Sequence, residues 1–401
     1  MHRLLSALLM LSLALSCRAA DEAKPEMLTP KEIADGWILL FDGETTFGWK
    51  ATNDSRWTIA DGMLAPLAKT TGALVTTTAF NDYELSMEYQ AKEDGPPAKR
   101  ILISTDAQVR KAEDEMPLRV MGSGWHRVHL TVKGANIVEA SVESKGLLGG
   151  GGTAWVRPQK TSAPASSHIA LAGNGFVVRN IKLKPLGTKP LFNGKDLTGW
   201  KKFESEPKRA KSQFTVTKEG WLSIKNGPGD LQTIGQWSDF VLQLECRTNG
   251  DNLNSGIFFR CIPGEYQNGY EAQIQNRKAK EPKKYTIQEF DPKTHELKSK
   301  KTIENWSQDY GTGAIYRRIP ARRSVAKDRE WFTMTVVAHG RHIASWVNGI
   351  QVTSWTDNRP ENENARNGCR LKKGPISLQG HDPTTDLNFR NIRLADLTEK
   401  K

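Results

Sequence analysis

The chain has 401 residues, 37% of them hydrophobic and 25% charged, a composition that excludes a disordered polymer and leaves room for two ordinary domains. Its net charge of +12 raises nucleic acid or an acidic polymer as a partner. The cations are scattered, however, with a local excess only over 277–329, and no nucleic-acid motif accompanies them, so no nucleic-acid partner is expected.

Residues 1–20 read as an export signal: His2-Arg3, an apolar run over 4–15, and the small-x-small site Cys17-Arg18-Ala19. The run is too short for a transmembrane span. Cleavage after Ala19 or Ala20 would release a periplasmic or extracellular protein. Lipidation of Cys17 is the lesser alternative, because Ala14-Leu15-Ser16 fits that pattern poorly. A short helix is expected over 30–34, and helical periodicity is otherwise scarce.

The strongest organisational signal is a repeat. LFDGETTFGWK at 40–50 returns as LFNGKDLTGWK at 191–201, and VRNIKL at 178–183 returns as FRNIRL at 389–394. Two tandem copies follow, over 36–186 and 188–397. The 34 glycines and 19 prolines mark many turns between short strands. Alternation places strands at 82–90, 125–133 and 176–183 in the first copy. In the second it places them at 240–246, 331–339, 342–347 and 376–379. The fold class expected is all-β, two tandem β-sandwiches of jelly-roll type. Gly149–Gly152 and 158–167 read as connections. The first copy lacks a counterpart of the 254–275 segment, so any site belongs to the second. Of the cysteines that follow the signal, Cys246 and Cys261 could pair on export, leaving Cys369; no CxxC spacing points to zinc.

Residues 254–275, NSGIFFRCIPGEYQNGYEAQIQ, read as two strands, 255–262 and 270–275, around a Pro/Gly loop. Alternation puts Glu271, Gln273 and Gln275 on one face, and Phe258 with Arg260 on one face of the partner strand. A carboxylate and amides beside a guanidinium and a ring suit a groove for a hydroxyl-rich ligand; a solvated sheet face is the plain alternative. A later strand brings Gln379 and His381 to one side. An insertion over 277–330, containing Gly311-Thr312-Gly313-Ala314-Ile315-Tyr316, is expected to wall the site.

These motifs, with LFNGKDLTGW, NSGIFFR, GYEAQIQ, TGAIYR and GPISLQGH…FRNIRL in order, resemble the 3-keto-disaccharide hydrolase domain family. The resemblance implies a concanavalin A-like jelly roll and a carbohydrate-directed role, for some members the cleavage of 3-keto-glycosides. The chain departs from the family's pattern at Asn276, where Asp is usual, and at Phe332, where Asn follows Glu-Trp. On this reading Glu271 is the candidate base and His381 an acid or base. Arg260, Gln273, Gln379 and Asn254 would hold the sugar, with Tyr316 or Trp306 stacking on it. Glu271 and His381 could also share a divalent cation, though no spacing demands one. There is no G-x-S-x-G elbow, and a two-carboxylate glycosidase signature is lacking. The alternative is a non-catalytic carbohydrate-binding or protein-interaction pair.

Overall fold

The computed structural model describes residues 28–67, 72–91, 101–104, 115–118, 124–134, 136–144, 152–155 and 168–398. The expected export signal with Cys17, the 158–167 connection and most of the 149–152 run lie outside the described residues.

Apart from the helix Pro30–Ala34 and two 3-10 turns, the described elements are strands, arranged as two concanavalin A-like jelly-roll sandwiches. The helix starts where expected because Thr29 and Glu32 cap each other's backbone amides. In the second sandwich a long sheet runs in the order Gln213–Val216, Leu222–Lys225, Asp386–Asp396, Phe240–Thr248, Phe332–His339, His342–Val347, Ile350–Thr356. A five-stranded sheet faces it, in the order Trp200–Lys202, Gly229–Thr233, Ser377–Gly380, Ser255–Phe259, Tyr270–Ile274. The first sandwich has the same strand order in both of its sheets.

The repeated sequence motifs make repeated contacts. Trp49 Nε1 donates to Leu40 O at 2.5 Å and Trp200 Nε1 to Leu191 O at 2.9 Å, closing the same turn in each copy. In the Arg-Asn pairs, Asn180 and Asn391 both sit at φ 52, the left-handed region that asparagine tolerates. The strand register shifts beside each. Each asparagine amide donates to a buried glutamate on the neighbouring strand, Glu88 or Glu245, which also pairs with Arg179 or Arg390. The motif therefore encodes a bulge and the carboxylate that holds it.

The run Phe240–Thr248 is buried on both faces, unlike the alternation of a half-exposed strand. Phe240, Leu242 and Leu244 fill the second sandwich. Val241 instead joins Val337, Ala344, Trp346 and Ala395 against Ile38, Phe80, Tyr83 and Leu183 of the first. Trp346 is 1% exposed and its Nε1 donates to Leu39 O at 2.9 Å. The two sandwiches thus share one apolar seam, and polar contacts rim it. Gln243 Nε2 donates to Gly36 O at 2.9 Å, and Arg322 pairs with Asp42 at 2.8 Å.

The insertion forms a two-stranded hairpin, Lys278–Phe290 with Leu297–Ser307. The ring of His295, near its tip, meets Asn358 O at 2.9 Å. Cys246, Cys261 and Cys369 are buried and free, so the Cys246–Cys261 pairing allowed by the sequence is not made. Cys246 is spent in the apolar core of the second sandwich.

Candidate functional site

The five-stranded sheet of the second sandwich turns Leu231, Leu378, Ile257, Ala272 and Ile274 into the core. The alternating positions therefore face the other way. The strand register puts Gln232 opposite Ser377, Ser377 opposite Phe258, and Phe258 opposite Glu271. One residue pair along, Asp230 lies opposite Gln379 and Gly256 opposite Gln273. Two polar rows thus cross four strands, interrupted by the ring of Phe258 and the missing side chain of Gly256. The gap at Gly256 is used: a Cβ placed there would lie 2.5 Å from Glu271 Oε1. Glu271 leans over the glycine towards the middle of the sheet.

Glu271 is 8% exposed, and its carboxylate makes no hydrogen bond to any described residue. Burial pushes its pKa up to about 8. Arg366 and Arg317 pull it down and the nearby Asp230 carboxyl pushes it further up. Asp230 is fully buried beneath the 262–268 loop, whose Gln267 N–H donates to its Oδ2 at 2.9 Å. Burial drives Asp230 up to about 7 against that bond. Gln379 Oε1 is buried with no hydrogen-bond partner among the described residues, beside the buried side chains of Asp230 and Ser377, which face one another.

A cavity of about 170 Å³ opens over Glu271. Its walls include Phe258, Tyr316, Arg317, Arg318 and Arg366. The 311–323 segment supplies one wall because Ile315 bridges Ala272 and Tyr316 N donates to Glu271 O at 3.0 Å. Tyr316 is half-exposed and meets Tyr310 edge-on at 5.3 Å.

The expected site residues part company here. Glu271 and Tyr316 line the hollow, whereas Gln379, on the same sheet face, is 3% exposed and does not line it. Gln273 shares the face of Glu271 but is only 1% exposed, and its Nε2 donates to Asp309 O at 3.0 Å, under the turn that covers it. Asn254 is half-buried, just before the Ser255–Phe259 strand. Trp306 is 57% exposed on the hairpin and does not line the cavity.

Arg260 does not serve a ligand. The strand ends at Phe259, and Arg260 turns into the left-handed region at φ 50, which breaks the alternation. Its guanidinium is fully buried and committed to Ser238 O, Arg370 O and Asp239 at 2.6, 3.0 and 2.9 Å. His381 is exposed at the far end of its strand, its Nδ1 2.8 Å from Asp382. It lies four residues beyond Ser377, about 13 Å along the strand from the level of Glu271. The structure therefore does not bring His381 and Glu271 together, as an acid–base pair or as ligands of one cation. Among the described residues, no group of three His, Cys, Asp or Glu side chains is placed to hold a metal ion, and no helix is long and apolar enough to cross a membrane.

Sequence reasoning missed Asp230, Arg317, Arg318 and Arg366. Asp230 and Gln232 alternate with Leu231 in a short run that shows the pattern. The three arginines come from two loops some fifty residues apart, and no periodicity links them. The departures at Asn276 and Phe332 are structural. Phe332 is 2% exposed in the core, and Asn276 bonds Thr312 and Asp328.

The fold and this polar sheet define a concanavalin A-like sandwich with a buried carboxyl under a cationic cavity. The chain belongs to the family described as the 3-keto-alpha-glucoside-1,2-lyase-like domain, which matches residues 36–116 and 187–395. No curated protein matches it. Among solved structures, it is similar to a presumed glycosyl hydrolase from Parabacteroides distasonis ATCC 8503. The two share 20% identity over 53% of this chain and 94% of that one, with a TM-score of 0.39. A second presumed glycosyl hydrolase of the same organism shares 25% identity over 52% and 99%, with a TM-score of 0.37. A carbohydrate-binding module, CBM66, from Bacillus subtilis shares 13% over 48% and 93%, with a TM-score of 0.30.

Proposed function

We propose that the second sandwich cleaves the glycosidic bond of a 3-keto-glycoside, with Glu271 as the base, and that the protein is exported. Family membership supports the carbohydrate class, and residues 1–20 support export. The observation that carries the chemistry is the Glu271 carboxyl. It is buried, unbonded, open to a cavity, and held near 8, a value suited to moving a carbon-bound proton near neutral pH.

A ketone at C3 acidifies the proton on C2. Glu271 takes that proton, and the electron pair left on C2 is delocalised onto the C3 oxygen. The positive wall of Arg317, Arg318 and Arg366 stabilises this enolate. Return of the electrons forms a C1–C2 double bond and breaks the C1–O bond; the leaving oxygen takes a proton at the open mouth. Water then adds at C1 while C2 regains a proton, giving the free 3-keto sugar. The half-exposed Tyr316 offers a ring against which the sugar can lie.

The second reading is a carbohydrate-binding module without turnover; the remote placement of His381 favours it, since no imidazole stands by to assist the leaving group. Incubation of the whole chain with a 3-keto-disaccharide separates the two. Release of monosaccharide that is lost in Glu271→Gln supports cleavage. Binding without release, equal in both proteins, contradicts it.

A further inference from the structure

The cavity over Glu271 holds more positive charge than one transient enolate calls for. Arg317, Arg318 and Arg366 all line it, and among the described residues none of them sits in an ion pair. Arg318 donates to the Arg317 and Arg366 carbonyls at 3.2 and 2.6 Å, and Arg366 donates twice to Gln267 O at 3.0 and 2.8 Å. Carbonyls satisfy these donors without neutralising them. The acids that could do so are committed elsewhere. Asp357 is clamped by Arg359 at 2.8 and 2.7 Å, and Glu363 is taken by Arg370 and Lys372. Glu271 and Asp230 are themselves held towards the neutral form by burial. The aim of Arg317 is built into the backbone. It occupies φ 60, a conformation a non-glycine residue adopts only when its surroundings impose it. Ile315 on one side is pinned to Ile319, and Tyr316 to Glu271. Its guanidinium lies 5.4 Å over the Tyr316 ring.

We propose that the sugar recognised in this cavity carries a permanent negative group, a carboxylate or a sulfate ester, seated between Arg317 and Arg366. The proposal rests on the reading that the Glu271 cavity takes a sugar, and it narrows that reading to acidic sugars. Guanidinium forks bind both groups through paired charge-assisted hydrogen bonds. The half-exposed Tyr316 ring then contacts the face of the same sugar, leaving the negative group at the arginine wall and C2 towards Glu271.

Isothermal titration of the full chain with glucuronate, glucose 6-sulfate and glucose tests this. At least one of the two anions should bind at least tenfold more tightly than glucose, and its affinity should fall as salt is raised. Which anion binds better distinguishes carboxylate from sulfate. Arg317→Gln, which removes no hydrogen bond to another loop, should weaken the preferred anion at least fivefold and leave glucose unchanged. Lys218→Gln, on a side chain 92% exposed elsewhere, should change neither. Anions that bind no better than glucose, or an Arg317→Gln protein that binds them as wild type does, would overturn the proposal. Because the readout is binding, anion recognition without turnover of any keto sugar would sink the cleavage reading alone. Efficient turnover of a neutral 3-keto-disaccharide by a protein that binds neither anion more tightly than glucose would sink this inference alone.

Discussion

Replacing Glu271 by glutamine should change how the protein's stability responds to pH, in a direction fixed by its burial. The carboxyl titrates at 4.5 in an open chain and at about 8 in the fold. Below 4.5 it is protonated in both states and contributes no pH dependence. Between 4.5 and 8 the unfolded chain gives up this proton while the folded chain keeps it, so the native state loses ground as pH rises. At about 1.4 kcal/mol per pH unit, the loss across that window is on the order of 5 kcal/mol. Coupling to Asp230, which titrates in the same range, spreads it over both groups. Glutamine has no proton to lose. Glu271→Gln should therefore gain about 3–5 kcal/mol relative to wild type between pH 4.5 and pH 8.5. Guanidinium chloride unfolding of both proteins at pH 4.5, 6.5 and 8.5, followed by tryptophan fluorescence, measures the difference. Comparing variant with wild type at each pH cancels the titration of the groups that are not coupled to Glu271. Parallel pH profiles for the two proteins would refute the assignment of Glu271 as a buried carboxyl held protonated by the fold.

The same ionisation governs activity: kcat/KM for a 3-keto-disaccharide should rise about tenfold per pH unit below 8 and level off above it. A profile that falls across this range would make Glu271 an acid instead. Gly256→Ala should separate chemistry from folding. The new methyl would meet Glu271 Oε1 at 2.5 Å and its Cγ at 2.9 Å, contacts that a turn of the whole Glu271 side chain relieves. Stability should then drop by only about 1 kcal/mol, while displacement of the base costs about a hundredfold in kcat/KM. Equal losses in melting temperature and rate, or neither, would contradict that placement. Trp346→Ala should cost about 3–5 kcal/mol and loosen both sandwiches together, because its ring fills their shared seam. Hydrogen exchange confined to the second sandwich would count against that seam.

The sheet faces were legible because alternation is a direct consequence of strand geometry. Tyr-Glu-Ala-Gln-Ile puts Glu271 and Gln273 opposite Ala272 and Ile274, and the core contains the apolar pair as expected. The reading failed where a single dihedral changed sign. Arg260 follows Phe259 in sequence, but its φ of 50 removes it from the face it should share with Phe258. The RNI motif at the end of each copy conceals a similar turn, at Asn180 and Asn391. The double burial of Phe240–Thr248 was not legible: Gln243 and Glu245 interrupt its apolar residues, so it reads as an alternating strand, and nothing local says that the second partner is the other sandwich. The cavity wall was least legible. Arg317 and Arg366 are loop residues brought together by the Ile315–Ala272 bridge and by the Arg366 hold on Gln267. Such contacts leave no period in the sequence. His381 was read on the face of Gln379, but it lies one residue past the Ser377–Gly380 strand, and a face says nothing about distance down its length.

The most direct test is proton nuclear magnetic resonance of the sugar released when a 3-keto-disaccharide is cleaved by the full chain in D2O. If Glu271 removes the C2 proton and elimination precedes the addition of water, the product carries deuterium at C2 from its first appearance, and Glu271→Gln releases almost none. Product that forms at the full rate with its original hydrogen still at C2 would contradict the mechanism.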